Sequence, residues 1–179
     1  MRNMSQAMDI NAEWPRIYLG QGECFVSDGT PVVVTTVLGS CVSVTMHCPR
    51  LGLGGINHAV LPGKEDLRSS CSREDGCFVR ESIESVLQEL ERRQANRQEL
   101  QIKVFGGAQT YGAGQQKDWG KNNSVGKKNV RATLDVLQEL GLRVMVTEVG
   151  GNRGRKLIFL PGQGEVWVKK LAARVAQEG

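Results

Sequence analysis

The chain has 179 residues, of which 40% are hydrophobic and 23% charged, enough for one packed domain and too apolar for wholesale disorder. Lysine and arginine outnumber aspartate and glutamate by 23 to 19, a net charge of +4, and aromatics are only 5%, which excludes a basic, aromatic-interleaved nucleic-acid surface. No run of about 18 apolar residues occurs, so no membrane insertion is expected.

Residues 1–16 lack the continuous apolar stretch of a secretory signal and read as a flexible leader. Residues 17–179 then form a single domain, expected in the cytoplasm. Five cysteines at irregular spacing, with no CxxC, point to free thiols in a reducing compartment. Two histidines are too few for a histidine-rich metal site, so neither metal nor other cofactor is expected.

Short β-rich runs follow in order at 31–36, 41–47, 55–60, 101–105, 143–149, 156–160 and 165–170, with a further strand within 17–26. Between them lie two helical patterns. Over 74–93, Val79, Ile83, Val86, Leu87 and Leu90 recur at spacings of three and four. A second helix starts after Ser124, carries Val130, Leu134, Leu137 and Leu140, and stops at Gly141. One-sided helices need a sheet to lie on. The expected fold is therefore α/β, a layered α-β sandwich of mixed, largely antiparallel sheets with both helices packed on one face. Residues 108–123 form a long, polar, glycine-bearing loop.

The window 32–63 carries the chemistry. Cys41 follows the small pair Gly39-Ser40. From there Cys41, Ser43, Thr45 and His47 alternate with Val42, Val44 and Met46. If residues 48–51 form a four-residue hairpin turn, His47 pairs with Gly52 and paired numbers sum to 99. Cys41 then lies opposite His58, close enough for thiol and imidazole to meet. A bulge at Gly54-Gly55 would turn them to opposite faces. A histidine beside a cysteine lowers the thiol pKa and supplies a proton to the leaving group. Backbone N–H groups near Ser40 and Cys41 are placed to hold an oxyanion. The ring also needs a partner to orient it. Thr35 and its neighbour Thr36 are the candidates, and their side chains point in opposite directions. Cys24, Cys48, Cys71 and Cys77 read as thiols without a role, Cys48 within the turn.

The string TTVLGSCVSVTMHCPRLGLGGINHAVLPG, residues 35–63, resembles the signature of the chemoreceptor glutamine deamidase family, CheD. KVFGGA at 103–108 resembles the family's KxFGGA, VGKKNV at 125–130 its IGxxNV, and GGNRGRKLIF at 150–159 its GGxxGRKxxF. The four segments stand in the family's order across most of the chain. The chain departs from the pattern in Gln109-Thr110-Tyr111 and the glycine-rich stretch after it.

The resemblance implies a layered α/β fold with Cys41 as nucleophile, His58 as its acid and base, and Thr35, six residues before the cysteine, as the threonine of the site. It places Gly39, Ser40 and Asn57 at the substrate. The implied activity is deamidation of glutamine side chains to glutamate on methyl-accepting chemotaxis receptors, without cofactor. A second implied role is a module that binds and stimulates a CheC-type chemotaxis phosphatase.

Overall fold

The computed structural model describes residues 13–63, 76–109 and 124–172. Most of the leader, most of the 108–123 loop and Cys71 lie outside them. Among the described residues, nine strands and two α-helices make three layers. β1 (Arg16–Tyr18), β3 (Val33–Leu38), β8 (Arg155–Leu160) and β9 (Glu165–Lys170) form a four-stranded sheet in the order β1-β3-β8-β9. β2 (Cys24–Val26), β4 (Val42–Cys48), β5 (Leu53–Asn57), β6 (Gln101–Gly106) and β7 (Val144–Val149) form a five-stranded sheet in the order β2-β5-β4-β6-β7. Among the described strands, β1–β3 and β6–β7 pair in parallel and the rest antiparallel. The expected strand within 17–26 is two strands, β1 and β2, which serve different sheets.

Helices α1 (Val79–Arg92) and α2 (Val125–Glu139) both cover one face of the five-stranded sheet. Val42, Val44 and Met46 on β4 and Ile102 and Val104 on β6 pack there against Ile83, Val86, Leu87, Leu90, Val136 and Leu137. This is the largest apolar cluster and the main source of stability, since burying one such side chain is worth about 1.5–3 kcal/mol. The other face of the same sheet meets the four-stranded sheet. Leu19, Val34, Ile56 and Phe159 form one small cluster between the sheets, and Leu38, Cys41, Phe105 and Leu157 another.

α1 buries the stripe expected of it. α2 does so only in part. Leu134 is 37% exposed, and the buried positions are Gly126, Asn129, Thr133, Val136 and Leu137. The buried face is polar and small at the N-terminal end because it lies on the Gly107-Ala108 backbone rather than on side chains. A Cβ at Gly126 would stand 2.6 Å from the Gly107 and Ala108 carbonyl oxygens, and one at Gly107 only 2.2 Å from Val130. Ser124 caps the helix, its Oγ accepting from the Lys127 N–H at 3.4 Å.

Candidate active site

The β4–β5 hairpin sets the register of the site. Its turn is four residues long, as expected, but spans 49–52 rather than 48–51. Cys48 pairs with Leu53, His47 with Gly54, and the isolated bridge Val42–Ala59 keeps the same count, so paired numbers sum to 101 and not 99. Gly52, with φ +60°, is a turn residue, and Cys48 is the last residue of the strand rather than part of the turn. Cys41 is therefore level with Val60, and His58 is level with Ser43. The shift is even, so faces are preserved: Cys41 and His58 share the face between the sheets, one diagonal step apart. Diagonal neighbours are about 7–8 Å apart, within reach of a long or aromatic side chain. No bulge intervenes at Gly54-Gly55.

The imidazole of His58 is 2% exposed and is held from the other sheet. Its Nδ1 lies 2.9 Å from the Thr36 hydroxyl oxygen. That hydroxyl sits 2.8 Å from the Leu19 carbonyl, to which it donates its only proton. Thr36 must then accept from His58, so Nδ1 carries the hydrogen and Nε2 carries the lone pair. Nε2 is buried and has no hydrogen-bond partner. This is the proton-accepting nitrogen. Burial holds the imidazole below its ordinary pKa, only partly offset by the Leu19 carbonyl and the Glu23 charge.

Thr35 does not touch the ring. On β3, Val34, Thr36 and Leu38 face inward, whereas Thr35 shares the outer face with Val33 and Val37 and pairs with Ile158. Strand alternation separates the two threonines, and it gives the orienting hydrogen bond to Thr36 rather than Thr35.

Cys41 is 6% exposed. Burial raises its thiol pKa, and its own backbone N–H, directed at the sulfur, opposes that. With the thiol pushed up and the imidazole pushed down, the resting pair is neutral on both sides. Behind the sulfur, three successive carbonyls are anchored. Gly39 O accepts from Ala108 N–H at 2.8 Å, Ser40 O from Asn129 Nδ2 at 2.9 Å, and Cys41 O from Gly107 N–H at 2.7 Å. Gly106, at φ +108°, has to be glycine, since a Cβ there would meet Cys41 O at 2.2 Å.

Asn57, expected at the substrate together with Gly39 and Ser40, has its side chain engaged elsewhere. It points to the helix face. Its Oδ1 accepts from Val44 N–H at 2.6 Å, and its Nδ2 donates to Ser82 Oγ at 2.7 Å. The side chain fills a gap in the β4–β5 ladder and ties it to α1. His47, the other histidine, has its Nδ1 at 3.1 Å from Leu53 O and 3.0 Å from Pro161 O. A Cβ at Gly164 would fall 2.4 Å from its ring, so it is packed in place.

Cys24 and Cys48 are free thiols, Cys24 pushed up to about 11 by burial. Cys77 is disulfide-bonded, which corrects its reading as a free thiol; an odd cysteine count does not preclude one pair. Asn129 stands in the VGKKNV motif, but no role for its side chain is read from the sequence. The available signal was a polar residue at a buried position, three residues after Gly126 on α2.

Two comparisons bear on this site. Residues 60–170 match the family model described as CheD chemotactic sensory transduction. That match begins two residues after His58, so the cysteine and histidine lie outside it, but relatives extend the similarity across them. A "Probable chemoreceptor glutamine deamidase CheD" of Oleidesulfovibrio alaskensis is 40% identical over 157 residues, 88% of this chain and 73% of the relative. "Probable chemoreceptor glutamine deamidase CheD 2" of Geobacter sulfurreducens is 41% identical over 157 residues, 88% of this chain and 91% of the relative. The Nitratidesulfovibrio vulgaris protein of the first name is 35% identical over 171 residues, 93% and 82% of the two chains. By the family match and by these relatives, the chain belongs to the CheD family of chemotactic sensory transduction.

Proposed function

We propose that this protein deamidates glutamine side chains of methyl-accepting chemotaxis receptors in the cytoplasm, with Cys41 as nucleophile and His58 as acid and base. The observation that carries the reading is the Thr36–His58 hydrogen bond. It leaves Nε2 as a buried, unpartnered proton acceptor on the face that holds Cys41. The names borne by the relatives supply the substrate class.

The chemistry starts from a neutral thiol and a neutral imidazole. Nε2 takes the thiol proton as sulfur attacks the glutamine Cδ. Negative charge then develops on the former carbonyl oxygen, and the N–H groups of Ser40 and Cys41 hold it. The imidazolium returns its proton to the departing nitrogen, the C–N bond breaks, and ammonia leaves a thioester on Cys41. Water, deprotonated at Nε2, attacks the thioester. Glutamate departs and the thiol regains its proton. Thr36 keeps Nδ1 protonated throughout, so the ring cannot switch tautomer. Its hydroxyl ends on a backbone carbonyl and not on a carboxylate, so the Glu23 charge, which burial outweighs, is what remains to favour an imidazolium at rest. That agrees with the depressed pKa of His58.

The test is mass spectrometry of a receptor fragment co-expressed with the protein. Specific glutamines gain about one mass unit with wild type and none with Cys41→Ala, because the covalent route needs the sulfur. Equal conversion by both proteins would end the reading. Binding of a CheC-type phosphatase, the other role the family resemblance implies, would survive Cys41→Ala and is scored separately by pull-down.

A further inference from the structure

We propose that Asn129 is a positioning residue for the oxyanion-binding peptide, aiming the Cys41 N–H through the Ser40 carbonyl. The inference rests on Cys41 acting as an acyl-accepting nucleophile.

Asn129 lies in the second turn of α2 and is fully buried. Its amide donates one hydrogen to Ser40 O and the other to Val60 O, both at 2.9 Å. Two carbonyl acceptors around one atom require the nitrogen there, which settles the amide orientation. Ser40 precedes the nucleophile, and Val60 is level with it on the neighbouring strand. Asn129 therefore ties the two strands together at the rung of Cys41.

The Ser40 carbonyl and the Cys41 N–H belong to one planar trans peptide, in which they point in opposite directions. Pulling the oxygen towards α2 sends the N–H away from α2, towards the sulfur. An N–H on that side opposes the rise of the thiol pKa that burial causes. Hydrogen bonding at the oxygen also polarises the peptide and strengthens its N–H as a donor. Asn129 thus orients and sharpens the group that faces the developing negative charge, without touching substrate.

Asn129 Oδ1 is buried and has no partner. A buried acceptor left unpaired is destabilising. The residue is accordingly placed for the direction of its two donors rather than for net stability. Glycines on both sides make that placement possible. Gly107 and Gly126 let α2 approach the backbone closely, which brings Asn129 within reach of Ser40.

The experiment compares two small probes on the full chain, read at Cys41 by peptide-mapping mass spectrometry. p-Nitrophenyl acetate acylates the sulfur through an oxyanion. Iodoacetamide alkylates it without one. For Asn129→Ala, the acylation rate is expected to fall about 10²-fold, the range seen when an oxyanion donor is lost, while alkylation changes less than about threefold. Asn129→Ser, which retains one donor, falls between. Val136→Ala, a cavity on the same helix remote from the peptide, serves as the stability control. Thermal midpoints are measured for all, and rates are taken well below them. It is expected to leave the acylation-to-alkylation ratio at the wild-type value. If both Asn129 variants keep that ratio, or if acylation and alkylation fall together, the proposal is overturned. A wild-type Cys41 that alkylates but does not acylate overturns it too. Neither probe involves a receptor, so a protein with the expected ratios that converts no receptor glutamine sinks the deamidase reading alone.

Discussion

The two faces of the five-stranded sheet are built from the same strands and do different work. On the helix face, Val42, Val44, Met46 and Ala59 sit in a continuous apolar cluster. The polar Asn57 is admitted there with both ends of its amide satisfied. On the face between the sheets, the same strands present Cys41, Ser43, Thr45, His47 and His58, all buried. Two of these polar atoms, Ser43 Oγ and His58 Nε2, have no partner. Unsatisfied buried groups are what a fold selected only for stability would avoid. The contrast is between one face whose polar side chain is fully paired and another that keeps buried polar atoms unpaired among the described residues. Strand alternation lets the chain have both without extra elements.

The comparison breaks most sharply at Cys41, the proposed nucleophile. Cys41→Ala should lower receptor deamidation by about 10³-fold or more, read as ammonia release, while shifting the thermal midpoint little, because sulfur chemistry and packing reside on different atoms. Thr36→Val comes next. Loss of the acceptor frees the tautomer of His58, and kcat should fall about 10²-fold. Thr35→Val, on the outer face, should stay within about threefold; reversed effects would show that the family's spacing rule outranks the hydrogen bond seen here.

Asn57→Ala addresses the opposite face. It leaves the buried Val44 N–H unpaired and should destabilise by about 1–3 kcal/mol. For a domain of this size each kcal/mol is worth about 2–4 °C. Chemical denaturation should register the loss, and kcat of the molecules that remain folded should hold. A large fall in kcat at unchanged stability would place Asn57 back at the substrate.

The smallest effect is on pH. The folded-state pKa of His58 is depressed, so as pH falls below about 6.5 the unfolded chain takes up a proton first. The stabilisation of the neutral ring is full above the unfolded pKa and is lost as pH drops through the folded one. His47 is depressed for the same reason and adds to the trend. Denaturation midpoints should therefore decline between pH 7.5 and 5.5, and His58→Gln should flatten the decline. An identical slope in that variant would remove His58 from the account. The elevated thiol pKa sets the other limb: alkylation of Cys41 should keep rising with pH past about 8.5, where a free thiol is already half ionised.

Much of this was legible in the residues. The β-rich runs and the α1 stripe were read within a few positions, because alternation and 3.6-residue periodicity act locally. The shared face of Cys41 and His58 was also legible, since it needs only an even register. The exact pairing was not. A hairpin turn moved by one residue changes the sum of paired numbers by two, and nothing in Cys48-Pro49-Arg50-Leu51-Gly52 ranks one four-residue turn over the other until Gly52 is seen at positive φ. The choice between Thr35 and Thr36 failed for a different reason. It depends on which face of β3 meets the second sheet, a fact of layer packing and not of the strand. The α2 stripe holds at Val130, Leu137 and Leu140 but not at Leu134, and its most buried positions also include Gly126, Asn129 and Thr133, which apolar periodicity does not mark.

By itself the sequence determined the strands and helices, the layered α/β class, Cys41 and His58 on one side of a strand pair, and the family. Those rest on short-range patterns and motif order, which survive without coordinates. Only the tertiary structure decided which threonine holds the imidazole, that Asn57 serves the helix interface, and that a helix two motifs away grips the peptide before Cys41. Each of these is a contact between elements far apart in the chain. Such contacts depend on how layers stack and where glycines let backbones meet, and no local periodicity encodes that.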